Sequence, residues 1–203
     1  MRPSLARLNH IAAFLLSLLL ASASMTVSAS ATAEPALKAG VFNPPYLAPD
    51  FSLHGSDGSD ITLSRYRGKV VLLAFGYTNC AAVCPTTLAT LAQTRSGLGK
   101  AANAVQVVYV TVDPARDDAA RMHRYLAAFD TSFVGATGTP DALAAVRRKY
   151  GITAVKQGGG RNYAMAHTSS IFLIDRAGKL RALMPFGHDA ADFAHDVELL
   201  LAP

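Results

Sequence analysis

The stretch VVLLAF at residues 70–75 constrains the fold of this chain more than any other segment. An apolar run without polar alternation has no face to offer water. As a strand it must be covered on both sides, as happens in a parallel or mixed sheet. A second such run, VQVVYVTV, occupies residues 105–112. Between the two, Pro85 opens a predicted helix reaching about Ser96, since proline suits a first helical turn. The alternation continues with a helix over residues 117–129, its apolar positions at Met122, Leu126 and Phe129. Thr139-Pro140-Asp141 starts a further helix that reaches Tyr150 and stops at Gly151. Residues 170–175 and 179–184 read as a hairpin around Arg176-Ala177-Gly178, and Asp189 caps a last helix running to Leu201. Upstream, residues 50–53 and 60–63 read as an N-terminal hairpin around a turn at 55–59. Residues 157–162, with three consecutive glycines, read as a mobile loop. Alternating strands and helices predict one α/β domain, with a mixed central sheet flanked by helices.

Composition agrees with a packed domain. The 203 residues are 51% apolar and 16% charged, which excludes a disordered chain. Residues 1–33 stand apart from the fold. Arg2 and Arg7 precede an apolar run at 11–20, and small-x-small triplets follow at 27–33, the anatomy of a secretory signal peptide. The run at 11–20 is shorter than the ~20 residues of a bilayer span, but continued through Val27 it also reads as an uncleaved membrane anchor. Export makes the expected location periplasmic, with membrane attachment only if the segment is retained. Residues 34–47, rich in proline, read as an extended linker, and residues 48–203 as the domain. Without the first 33 residues, 17 basic residues face 14 acidic ones. The basic residues are scattered, and no patch with interleaved aromatics points to nucleic acid.

Two cysteines are too few for a disulfide scaffold or an all-cysteine zinc site. They lie in FGYTNCAAVCP, as Cys80 and Cys84, where the first buried strand gives way to a helix. The positive end of a helix favours thiolates, and an i, i+4 spacing can bring both sulfurs to one side of a turn. Thiolates are soft donors that select Cu(I), zinc or iron–sulfur centres, and a pair needs a further ligand. Of the histidines, His10 lies in the signal segment, and His54, His123, His188 and His195 read as surface residues. His167 ends a loop just before the strand at 170–175, where it could face the end of the first strand. Asp113 follows the second buried strand, and strand ends gather near sites in open α/β sheets.

Three blocks together resemble the SCO/SenC family, the copper-delivery proteins of cytochrome c oxidase assembly. FGYTNCAAVCP is similar to the family's Cys-x-x-x-Cys-Pro motif. The block VTVDPARD at 110–117 is similar to its second block. Tyr163 with His167-Thr168, followed by IFLID, is similar to the block that carries a histidine ligand. Ala81 stands where the family usually has proline, and Ala166 where many members have an acid. The resemblance implies a thioredoxin-like single domain with a copper site made of Cys80, Cys84 and His167. Asp113, from its place at a strand end, reads either as an outer residue orienting that site or as a turn residue before Pro114. Two thiolates and an imidazole suit both Cu(I) and Cu(II). The resemblance implies an exported copper chaperone, with subunit II of cytochrome c oxidase and its Cu(A) centre, or another copper donor or acceptor protein, as partner. The same pair also admits a thiol–disulfide oxidoreductase, a peroxide-reducing or redox-sensing cysteine, or a structural disulfide.

Overall fold

The structure is a computed structural model that describes residues 36–202. The signal or anchor segment read at 1–33 lies outside the described residues. Strands β1 (Gly40–Leu47), β2 (Ser52–Gly55), β3 (Asp60–Thr62) and β4 (Val70–Gly76) come first in the chain. Helix α1 (Val83–Gly97), β5 (Val105–Thr111), α2 (Ala119–Ala127), β6 (Val134–Thr137) and α3 (Pro140–Lys149) follow. The chain closes with β7 (Ala154–Gln157), β8 (Ala164–His167), β9 (Ile171–Ile174), β10 (Lys179–Met184) and α4 (Ala190–Leu201). Among the described residues, eight strands form one sheet in the order β1-β10-β9-β4-β5-β6-β2-β3, while β7 and β8 form a separate antiparallel ribbon.

The two apolar runs hold the centre. Every residue of β4 and β5 is buried, and the two strands pair in parallel from Val70 opposite Val105 to Gly76 opposite Thr111. Strand β6 extends the parallel set on one side. On the other side β9 pairs antiparallel with β4, which makes the sheet mixed. Helix α1 connects two parallel neighbours and packs against α4. Two predicted caps are present: Thr139 accepts from the Ala142 amide, and Asp189 accepts from Ala191 and Asp192. Such caps satisfy amide groups that a helix leaves unpaired at its start.

The structure moves three boundaries. Residues 40–47 are extended as expected, yet they form edge strand β1, paired antiparallel with β10, so the sheet begins ahead of residue 48. Pro44 and Pro45 hide this in the sequence. An edge strand tolerates proline because one side of it makes no ladder bonds, and the register shifts between Val41 and Tyr46. Helix α1 begins at Val83, before Pro85, which places Cys84 inside its first turn. The tract read as a mobile loop joins β7 to β8, and His167 ends a strand of this ribbon where a loop was expected. Short, largely exposed strands such as AVKQ and AMAH carry no clear apolar pattern, so periodicity does not reveal them.

Candidate metal centre

The carboxyl ends of parallel strands β4 and β5 lie side by side, and the loops leaving them build the site. Such ends are where open α/β sheets bind ligands. After Gly76 the chain turns through Tyr77, Thr78 and Asn79 to Cys80, then enters α1. Gly76 itself is required. A methyl group there would overlap the Tyr109 hydroxyl and stand 3.0 Å from Cys84 Sγ. Both cysteines are free; Cys84 is buried and Cys80 is half-buried. The Cys84 amide donates to Cys80 Sγ at 3.4 Å, so an N–H at the helix start faces the outer sulfur.

His167 comes from the separate ribbon. Its Nε2 stands 3.5 Å from Cys84 Sγ. Its Nδ1 lies 2.9 Å from the Thr168 carbonyl oxygen. A carbonyl only accepts, so Nδ1 carries a proton, and in the neutral ring Nε2 keeps its lone pair on the side of the sulfur. A backbone partner of this kind sets the tautomer of a metal-ligating histidine. The Tyr77 ring packs edge-on against the imidazole at 5.8 Å, and the Tyr77 hydroxyl accepts from the Met165 amide at 3.3 Å. One tyrosine therefore touches both the ring and the strand that carries it.

Phenols surround the sulfurs, and burial first, then the nearby thiols, raise their pKa. The Tyr109 hydroxyl is held well above its ordinary range by burial and by Cys84, and Tyr125 is raised by burial, Cys84 and Cys80. Tyr77 is raised by burial, against the Met165 amide, with both sulfurs adding to the effect. The same causes bias all three phenols toward their neutral form.

Asp113 is buried at 3% exposure, but its carboxylate is turned elsewhere. It accepts from the Tyr163 hydroxyl at 2.6 Å and from Arg116 Nε. The atom that meets His167 Nδ1 is the Thr168 carbonyl oxygen, which no sequence pattern announces, while Asp113 reaches the histidine strand only through Tyr163. A second carboxylate, Asp117, reads in the sequence as the start of α2. The structure gives the cap to Asp118 and turns Asp117 inward, fully buried, toward Thr78. His54, His188 and His195 stand beside Asp60, Asp192 and Asp196, and none of these pairings involves a cysteine.

The residue types gathered here, two thiols and an imidazole, are those whose chemistry suits a soft or borderline metal ion or dithiol exchange. Among the described residues no three His, Cys, Asp or Glu side chains form a closed metal cage. Cys84 and His167 are already in contact, and Cys80 stands against the Cys84 amide. The donor set of two sulfurs and one imidazole nitrogen fits copper in either common oxidation state.

The SCO1/SenC sequence profile matches residues 42–202. Among solved structures, copper-bound ScoI of Bradyrhizobium japonicum is 33% identical, with a TM-score of 0.71, over 76% of this chain and 99% of that one. Apo Sco1 of Thermus thermophilus, solved in solution, is 34% identical, with a TM-score of 0.75, over 83% of this chain and 99% of that one. The mitochondrial SCO2 homologue of Mus musculus is 35% identical over 133 residues, 64% of this chain and 52% of that protein. The chain thus spans about half the length of that relative.

Proposed function

Because the chain belongs to the SCO1/SenC family and has its thioredoxin-like fold, we propose that it is an exported, periplasmic copper chaperone for cytochrome c oxidase. Copper is its cargo. Cys80 and Cys84 supply two sulfurs and His167 Nε2 the third donor. Delivery goes to the Cu(A) centre of subunit II, or to another acceptor protein. The observation that carries this reading is the approach of His167 Nε2 to Cys84 Sγ at 3.5 Å, with Nδ1 tied back to a carbonyl. A histidine prepared in this way serves a metal, whereas dithiol exchange has no need of it. The copper bound by the similar Bradyrhizobium japonicum protein supports the same assignment. Export rests on residues 1–33. No described helix is long and apolar enough to cross a membrane.

A specific contact also favours thiol–disulfide exchange at the same pair. Cys80 is the more exposed cysteine, and the Cys84 amide donates to its sulfur at 3.4 Å. As a reductant, the pair attacks a partner's disulfide through Cys80. Cys84 then closes the Cys80–Cys84 bond, and the partner leaves as a dithiol carrying the two electrons. This chemistry would also reduce the cysteines of a Cu(A) site before loading.

Copper titration of the reduced chain, set beside the Cys80–Cys84 reduction potential, tests both readings. His167→Ala should weaken copper binding by at least about tenfold while the disulfide still forms at an unchanged potential. Unchanged copper affinity together with lost reductase activity would transfer His167 to a redox role and displace the chaperone reading.

A further inference from the structure

The two halves of the metal centre sit on separate pieces of chain, the loop after β4 and the β7–β8 ribbon. Both are gripped by the same short turn at residues 113–117, which follows β5. The turn is closed on itself. Asp117 and Arg116 donate their amides to the Asp113 carbonyl at 3.0 and 3.2 Å, and the Asp113 amide donates to Thr111 Oγ1 at 2.9 Å. Toward the cysteines it presents Asp117. This buried carboxylate accepts from the Thr78 amide at 3.0 Å and from Thr78 Oγ1 at 2.6 Å, two residues before Cys80. Thr111 Oγ1 donates to the same carboxylate at 2.7 Å, and Arg121 Nε donates to Thr78 Oγ1 at 2.6 Å.

Toward the ribbon the turn presents Asp113 and Arg116, and both hold Tyr163. The phenol donates to Asp113, and Arg116 Nη1 donates to the Tyr163 carbonyl at 2.9 Å. The Arg116 guanidinium lies 3.6 Å from the centre of the Tyr163 ring and Lys156 Nζ lies 3.9 Å from it. Tyr163 stands just ahead of β8, the strand that ends at His167. Charge-assisted hydrogen bonds and cation–π stacking are among the stronger polar contacts.

We propose that the turn at 113–117 is a brace that sets the spacing of the metal donors, holding the cysteine loop through Thr78 and the histidine ribbon through Tyr163. Arg116 and Tyr163 are then positioning residues for His167, and Asp117 and Thr78 for Cys80. The inference rests on the copper-site reading above. It makes the two grips separable. Loss of the Tyr163 grip affects only what His167 contributes. Loss of the Thr78 grip affects both sulfurs, and therefore copper and disulfide alike.

The test uses the full chain and measures three quantities: Cu(I) affinity of the reduced protein, Cys80–Cys84 reduction potential, and the NMR signals of the His167 ring without metal. Tyr163→Leu should lower copper affinity roughly 10- to 100-fold, the usual cost of losing an outer partner of a ligand. It should shift the ring signals, leave the potential unchanged, and have no further effect on affinity in a His167→Ala background. Thr78→Val should lower affinity in both backgrounds and shift the potential. If Thr78→Val does not fold, Arg121→Ala replaces it, removing an exposed partner of Thr78. Wild-type affinity in Tyr163→Leu would overturn the brace, as would an equal loss in the His167→Ala background. A wild-type chain that binds no copper would defeat the functional reading, and the ring signals and the potential would still decide on the brace.

Discussion

Gly76 marks the closest approach in the site. It lets the end of β4 run against the Tyr109 hydroxyl and Cys84 Sγ, where any side chain would have to displace one of them. Gly76→Ala should therefore cost about 1–3 kcal/mol, the usual penalty for overpacking a filled interior. Urea denaturation measures it. Because Tyr109 is locked inside the sheet, the softer partner to move is the cysteine, so the same variant should also shift the Cys80–Cys84 potential. At this scale the sequence was legible where chemistry is carried by residue type. Cys80 and Cys84 stand out by spacing and by their place at a helix start. His167 stands out from the other histidines by its place just before a strand, and more firmly by its resemblance to a family block. Asp117 could not be read, because a buried carboxylate holding a neighbouring loop looks the same in sequence as a helix cap.

At the level of elements, burial on both faces made β4 and β5 plain, and the caps Thr139 and Asp189 made α3 and α4 plain. Strand β1 and the ribbon were not legible, for a shared physical reason. Each is stabilised on few sides, so its sequence records exposure more than packing. The start of β1 depends on one distant group. Asp196, fully buried on α4, accepts from the Lys38 and Ala39 amides at 2.6 and 2.9 Å. Asp196→Ala leaves the buried Ala39 N–H without a partner, which costs about 1–3 kcal/mol. Hydrogen exchange should then quicken across residues 40–47 while β4 and β5 stay protected. Uniform loss of protection would show instead that β1 is essential to the whole sheet.

Across the whole molecule, acid acts through a few well-held carboxylates. Burial alone would raise the pKa of Asp130, but hydrogen bonds from Ser132 and the Arg95 guanidinium outweigh it and lower the pKa below its ordinary 3.8. A carboxyl lowered on folding contributes stability above its unfolded value and loses it as pH falls through the folded one. Denaturation between about pH 5 and 2 should show this loss, and Asp130→Asn should be less stable near neutrality with a shallower acid decline. An unchanged decline would assign acid sensitivity to other carboxyls. The ribbon that carries His167 has a different consequence. It lies outside the eight-stranded sheet, so melting temperature should report mainly on the sheet, while copper binding also reports on the ribbon. A survey of variants ranked by melting temperature would pass over residues 154–168 as harmless, although the third metal donor is among them. Tolerance of mutation in this protein has to be judged with two instruments, a thermometer for the sheet and a metal titration for the ribbon.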